Sequence, residues 1–214
     1  MIEHVITTLH SVPGIARIVV STEDPEIARC AQECGAEVPF RRPEELARDN
    51  TTLVHVLKHS LEALKAIGDR FDAVLSVPPT APLLRPQTVS EMISKFHRTG
   101  CEAVATVAEI RHGHPYLCQT LKGYEGDIAE PLIQLPAGAL RYPRQVRPSA
   151  YYYTGTAFLR DRSLFYPIDP GTNCLGLKPR VVVVDAEEAI NIDDITDFRI
   201  AELLIQERTS LASH

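Results

Sequence analysis

The sequence predicts an α/β fold, a three-layer sandwich in which helices cover both faces of a mainly parallel sheet. Amphipathic stretches with a period near 3.6 alternate with short apolar runs. The runs, above all residues 71–77, are largely apolar, as expected of strands covered on both faces. No internal repeat or low-complexity tract interrupts this order, and the 214 residues suffice for one domain over 1–214 with an excursion from the sheet.

Each element has a local reason. Ile2, Val5, Ile6 and Leu9 fall at i, i+3, i+4 and i+7 and predict a first helix, with Gly14 after it. Residues 15–21 are a short apolar run ending in Ser-Thr, read as a buried strand. Asp24 is placed to cap the next helix, with Pro25 at its first position. That helix is expected to bury Ile27, Cys30, Ala31 and Cys34 and to stop at Gly35. Residues 36–40 read as another short strand. From Asn50, Leu53, Leu57, Leu61 and Leu64 line a helix ending near Gly68. Residues 71–77 read as a central parallel strand. Val89, Met92, Ile93 and Phe96 mark a helix ended by Gly100, and 103–110 a strand. From 112 to about 150, Gly and Pro are scattered without a sustained period; because Leu and Ile persist there, the region is an excursion rather than a linker. Residues 151–159 and 180–184 return to strand character. The last helix is expected to bury Ile195, Phe198, Ala201 and Ile205. The chain opens on a helix, where a βαβ unit places a strand first.

Composition narrows the function. A formal charge of −6 argues against a broad basic surface for nucleic acid. No apolar run is long enough to span a bilayer, and Met1-Ile2-Glu3-His4 lacks the basic start of a signal peptide, so a membrane role is not expected. The five cysteines fit neither a disulfide framework nor a zinc site, which points to the reducing cytosol. Cys30 and Cys34, at i, i+4 beside Ala31, read as a helix core face rather than as redox or metal chemistry.

Ligands of open parallel sheets bind beyond the carboxyl ends of the strands. Four such ends carry chemistry: Ser21-Thr22-Glu23-Asp24, Phe40-Arg41-Arg42-Pro43, Val77-Pro78-Pro79-Thr80-Ala81-Pro82 and Ile190-Asn191-Ile192-Asp193-Asp194. Oxygen ligands suit Mg²⁺ and guanidinium groups suit phosphate, so the mixture fits a nucleotide with a divalent ion. Plainer readings stand beside this one. Asp24 and Asp194 can be helix caps, Arg41 and Arg42 a solvated pair, and Pro78-Pro79-Thr80 a simple strand end. There is no G-x-G-x-x-G. Gly171-Thr172-Asn173-Cys174-Leu175-Gly176 has the outer spacing of a phosphate loop, but Lys178 comes one place late and a strand follows where a helix N-terminus is required. No G-x-S-x-G elbow occurs. His112-Gly113-His114 lacks a third ligand at suitable spacing and reads as loop.

At these positions the chain resembles the acylneuraminate cytidylyltransferases, or CMP-sialic acid synthetases. Ile18-Val19-Val20-Ser21-Thr22-Glu23-Asp24-Pro25-Glu26-Ile27-Ala28 matches their strand–turn–helix signature, and Ala36-Glu37-Val38-Pro39-Phe40-Arg41-Arg42-Pro43-Glu44-Glu45-Leu46-Ala47-Arg48-Asp49 the next one. Pro79-Thr80-Ala81-Pro82-Leu83 resembles their Q-P-T-S-P-L turn, Pro143-Arg144-Gln145 a basic element of the substrate and dimer region, and Ile190-Asn191-Ile192-Asp193 their metal-binding D-I-D. Order and spacing agree over essentially the whole chain. The resemblance implies a Rossmann-like nucleotidyltransferase sheet with a dimerisation excursion. The implied reaction is attack of the anomeric hydroxyl of a nine-carbon 2-keto sugar acid on the α-phosphate of CTP, with Mg²⁺ on the phosphates. It implies that Arg42, Thr51, Thr80 and Pro78 lie at the nucleotide, that Arg144, Gln145 and Tyr152 lie at the sugar acid, and that Asp193 and Asn191 hold the metal. Asp193 and Arg144 would be catalytic, and the enzyme a cytoplasmic homodimer.

The departures carry their own expectations. Pro78 replaces a glutamine, Asn191 replaces the first metal aspartate, and Tyr152 and Thr154 stand where arginine and asparagine are common. The family's first strand and its R-x-G-S-K-G-x-x-x-K-N loop have no counterpart, since residues 2–6 align with the helix after them. The expectation is a cytidylyltransferase whose start lies upstream and whose activity is impaired in this chain. The alternative is a non-catalytic nucleotide- or sugar-binding homologue, and a GT-A-like glycosyltransferase ranks last because residues 77–80 carry no aspartate. Without the first strand, 15–21 and 71–77 are expected to pair directly or to be bridged by another chain, since unpaired backbone groups are costly when buried.

Overall fold

The computed structural model describes residues 1–48, 50–123, 126–134, 147–169, 171 and 174–212. The elements follow the predicted alternation: α1 (Ile2–His10), α2 (Pro25–Glu33), α3 (Leu53–Ala66), β1 (Ala73–Ser76), α4 (Pro86–Thr99), β2 (Ala103–Glu109), β3 (Gln119–Lys122), β4 (Ile128–Pro131), β5 (Tyr151–Asp161), β6 (Arg180–Val183) and α5 (Ile195–Ala212). The main sheet has the order β1-β5-β2-β6. β2 and β6 pair in parallel, while β5 runs antiparallel to both β1 and β2. Three of the four strands therefore point the same way, and their carboxyl ends share one edge of the sheet.

Helices cover both faces. Val12, Leu84, Val89 and Met92 pack on Val104, Ala157, Leu159 and Val182, with Leu9, Ile93 and Phe96 around them, so α1 and α4 close one face. Met92 and Val89 are fully buried; truncating Met92 to alanine removes contacts worth about 2–5 kcal/mol. α3 closes the opposite face through Val54 and Leu61 against Phe165 and Cys174, with Val74 of β1 beside them. Ala73 and Leu75 belong to the first cluster and Val74 to the second, the alternation a strand imposes. α4 ends as predicted, at Gly100 in the left-handed region with φ 59°.

Several expectations are corrected. Residues 15–21 and 36–40 are not strands of the main sheet; among the described residues their backbones are joined by a single parallel bridge between Val19 and Glu37, where Val20 N–H donates to Glu37 O and Glu37 N–H to Ile18 O. Ile18, Val20 and Val38 pack with α1 and α2 around Ile6, Ala31 and Ala36 instead. The expected direct pairing of 15–21 with 71–77 does not form: no backbone hydrogen bond joins them among the described residues. The physical reason is that their side chains settle largely in different apolar clusters, with only Ile15 shared. β1 is consequently an end strand rather than a central one among the described residues, where β5 is its one ladder partner. On α2, Ala31 is buried but Ile27 is 47% exposed, and on α5 Ala201 is buried while Ile195 and Phe198 stay exposed. The excursion carries the β3–β4 hairpin, which forms its own two-stranded sheet. No helix among the described residues is long and apolar enough to cross a membrane.

Candidate functional site

The turn after β1 is rigid by composition. Pro78 and Pro79 fix the backbone, Ala81 N–H donates to Pro78 O at 3.2 Å, and Ala81, Pro82, Leu83 and Leu84 are buried beneath it. Thr80 sits at its crest and reaches the turn before α5 through two bonds. Ile192 N–H donates to Thr80 O at 2.9 Å. The Thr80 hydroxyl donates to Asn191 Oδ1 at 2.6 Å, 111 residues away in the chain. The segment that leads into this turn, 185–188, is anchored as well. Arg85 binds Asp185 at 2.6 Å and reaches Glu187, its N–H donates to Glu188 Oε1 at 2.9 Å, and Glu188 is buried. Burial alone would raise the Asp185 carboxyl, but hydrogen bonds from Glu188 N–H and from Arg85 outweigh it and hold it below the ordinary range.

Asp193 lies in this turn, exposed, and among the described residues its carboxylate has neither a hydrogen bond nor an ion pair; only its N–H is engaged, donating to Asp197 at 3.1 Å. Asp194 is a helix cap, accepting from Thr196 and Asp197 N–H at 2.6 and 3.0 Å, bonds that keep its carboxyl below the ordinary range. Asp24 likewise caps α2 by accepting from Glu26 and Ile27 N–H. In Asp24 and Asp194 the caps use Oδ1 alone; of these three aspartates Asp193 is the one with both carboxylate oxygens uncommitted among the described residues. Asn191 Oδ1 already accepts from Thr80, so as a metal ligand it would use its remaining lone pair.

The second group lies at 21–24 and 40–42. Arg42 N–H donates to Thr22 O at 3.0 Å, and the Arg42 guanidinium clasps Glu23 through Nε at 2.8 Å and through Nη2. This hydrogen bond, more than any other influence, holds the Glu23 carboxyl below its usual range. Arg42 is thus partnered by a carboxylate. Arg41 is exposed and forms no ion pair among the described residues. Thr51 is committed to its own turn, its hydroxyl donating to Glu45 O at 3.0 Å.

β5 supplies the third wall. Its register against β2 jumps between Ala105 and Val107, where β5 passes from Phe158 to Tyr153. The extra residues include Gly155 at φ 77°, and Asn191 Nδ2 lies 3.7 Å from where a Cβ on Gly155 would stand. The bulge therefore brings β5 to the Thr80–Asn191 pair and ends with Tyr151, Tyr152 and Tyr153 about half exposed. Buried hydroxyls pin it: Thr106 with Thr154 at 2.7 Å, Thr154 with Thr156 at 2.9 Å, and Thr106 accepting from Ala157 N–H at 3.2 Å. This device was not anticipated; a Gly between threonines inside an apolar strand was its signal. Arg144 and Gln145 lie outside the described residues. The structure thus joins Thr80 to Asn191, sets Asp193 in the same turn, places Tyr152 on the adjoining strand, and keeps Arg42 with Glu23.

Hydroxyl, carboxamide, carboxylate and guanidinium groups on turns around a mixed, helix-covered sheet are the groups a nucleotide-handling α/β protein uses. The chain belongs to the MobA-like NTP transferase domain family, whose model matches residues 1–139, and it is a nucleotidyltransferase of that kind. Its relatives include the CMP-N,N'-diacetyllegionaminic acid synthase of Legionella pneumophila, 26% identical over 210 residues, spanning 96% of this chain and 85% of that protein. The pseudaminic acid cytidylyltransferase of Campylobacter jejuni is 25% identical over 190 residues, 87% of this chain and 77% of the relative. Among solved structures, CMP:2-keto-3-deoxy-manno-octonic acid synthetase complexed with CTP superposes with TM-score 0.67 over 97% of this chain and 88% of its own, at 15% identity. A 4-diphosphocytidyl-2C-methyl-D-erythritol synthase gives 0.62 over 95% and 89%, at 16%. The two structures agree with the α/β fold, and the relatives agree with the cytidylyltransferase resemblance read from the sequence.

Proposed function

We propose that this chain transfers CMP from CTP to a nine-carbon 2-keto sugar acid of the sialic, legionaminic or pseudaminic type, releasing pyrophosphate. The observation that carries the reading is the locked Thr80–Asn191 pair with the uncommitted Asp193 carboxylate in the same turn. The anomeric hydroxyl forms a bond to the α-phosphorus as the bond to pyrophosphate breaks, and positioning with charge stabilisation supplies the rate. One free carboxylate and one amide oxygen fit Mg²⁺, which takes few protein ligands and keeps waters and substrate phosphates around it. Asp193 and Asn191 would hold it, and bound there it offsets charge on the phosphates. The half-exposed Tyr152 on the neighbouring strand offers a ring and a hydroxyl to the sugar. Arg144 and Gln145 belong to the same sugar-acid side in this reading. Exposed Leu121, Ile128 and Leu132 on the hairpin, with Tyr151 on β5, support a homodimer through the excursion. Cysteines without disulfides suit a cytoplasmic setting.

Purified protein is tested with CTP, Mg²⁺ and each sugar acid for pyrophosphate and CMP-sugar, alongside calorimetric CTP binding. The expected result is release that requires both CTP and a sugar acid and is slow, since Glu23 neutralises Arg42. Release without a sugar acid, or equal use of any nucleotide, overturns the reading. CTP binding without release for any sugar acid favours the second reading, a non-catalytic nucleotide-binding homologue, which the Glu23–Arg42 pairing also suits.

A further inference from the structure

α2 carries two cysteines that the proposed chemistry does not use. Cys30 lies in its last turn and Cys34 is its C-cap, with φ −82° and ψ 0°, so the chain still follows the helical path there. Cys34 N–H donates to Cys30 O at 3.1 Å, the i, i+4 bond of one turn. Side chains four apart on a helix stand one above the other on the same face. Both thiols are free and partly accessible. Cys34 leans on the cluster of Ile6, Ala31 and Ala36. Burial, and next the Cys30 sulfur, raise its thiol above the ordinary range.

Helix geometry sets the Cα atoms of such a pair, and their Cβ atoms, about 6 Å apart. A disulfide tolerates that Cα separation but needs Cβ atoms about 4 Å apart. A direct S–S bond would therefore unwind the turn. A single soft atom between the sulfurs removes the conflict, because two bonds of about 2.3 Å, as in zinc thiolates, span the gap without drawing the sulfurs together. No third metal-binding side chain completes a chelate among the described residues, so the guest must bring its remaining ligand. Thiolates select soft centres of this kind.

We propose that Cys30 and Cys34 form a two-sulfur chelating site for a thiophilic, low-coordinate centre of the trivalent organoarsenical class. With phenylarsine oxide, both S–H bonds break and two As–S bonds form. The arsenic-bound oxygen leaves as water with both protons, and no oxidation state changes. The test treats the folded, reduced chain with one equivalent of phenylarsine oxide and reads intact mass and remaining thiols. One adduct per chain with loss of two thiols is expected, reversed by a dithiol but not by a monothiol. Cys30→Ser and Cys34→Ser should each weaken the adduct at least about a hundred-fold, the scale of lost chelation. Cys101→Ser and Cys118→Ser should leave it intact, and circular dichroism confirms folding of every variant. No adduct in the parent chain, or an equally tight one in either Cys30→Ser or Cys34→Ser, overturns the proposal. Mild oxidation with diamide should give no Cys30–Cys34 disulfide while α2 remains helical; its formation without helix loss refutes the spacing argument.

Discussion

Replacing Thr80 with valine keeps the shape of the side chain and removes one hydroxyl. The backbone bond from Ile192 N–H to Thr80 O survives, so the two turns stay joined while the Asn191 carboxamide is released. The lost bond is neutral, part-buried and 2.6 Å long, and such bonds contribute about 1 kcal/mol net. Asn191 is only partly buried, so water can reach the freed Oδ1 and keep the loss near that figure. For a chain of this size, about 1 kcal/mol moves the melting midpoint about 2–4 °C. Urea denaturation of the parent, Thr80→Val, Asn191→Ala and the double variant isolates the pair, with an expected coupling of about 1 kcal/mol. The same coupling should appear in the KM for the nucleotide if the amide positions Asp193. Thr80→Ser should restore both. A coupling below about 0.3 kcal/mol, within the scatter of independent sites, would refute the reasoning and reduce Thr80 to a spacer.

Arg160 is fully buried on β5; among the described residues its side chain has Ser76 Oγ as its one hydrogen-bond partner, at 2.9 Å, leaves Nε unpaired, and has the Phe158 ring at 4.6 Å. Burial pushes its guanidinium down to about 10, a cost of about 3 kcal/mol while it stays charged. The Ser76 bond and the ring offset about 2 of these, so Arg160→Met should raise stability by about 1 kcal/mol in urea titrations, and a fall would contradict the account. Because the folded value is the depressed one, that cost holds at neutral pH and shrinks only as pH rises past about 10. Glu23→Gln should free Arg42 and tighten CTP binding about five-fold, or about 1 kcal/mol, by calorimetry; unchanged affinity would place Arg42 away from the phosphates. Glu23, Glu37 and Asp185 all titrate below their ordinary values. Their stabilisation is present above the unfolded carboxylate range of about 4 and is lost as pH falls through the depressed folded values. Denaturation midpoints should be flat from pH 7 to 5 and drop below about 4.5, and Glu37→Gln should lessen the drop.

The helices were legible because each signal is local. The period of α1 and α4, the Asp24-Pro25 start and the Gly100 stop all act within a turn or two. Burial was less legible. Ile27, Ile195 and Phe198 have the right spacing, yet exposure depends on what packs opposite, which spacing does not contain. Residues 15–21 are apolar enough for a strand, but a strand needs a partner, and among the described residues Glu37 alone supplies one. At the site, the candidate residue types were visible one by one, while Arg42 turning to Glu23 and Thr80 turning to Asn191 were not.

By itself, then, the sequence determined the α/β alternation, the capped helices, the rigid Pro78-Pro79-Thr80 turn and the choice of groups at the strand ends, because backbone propensities and turn chemistry act over a few residues. Only the tertiary structure decided that β5 runs against its neighbours and bulges at Gly155. It also decided that β1 ends the sheet and that Asp193 keeps its carboxylate uncommitted. Those outcomes rest on contacts between residues far apart in the chain, such as Thr80 and Asn191, 111 positions apart. Such a contact depends on where the packed layers bring two turns, which neither turn encodes alone.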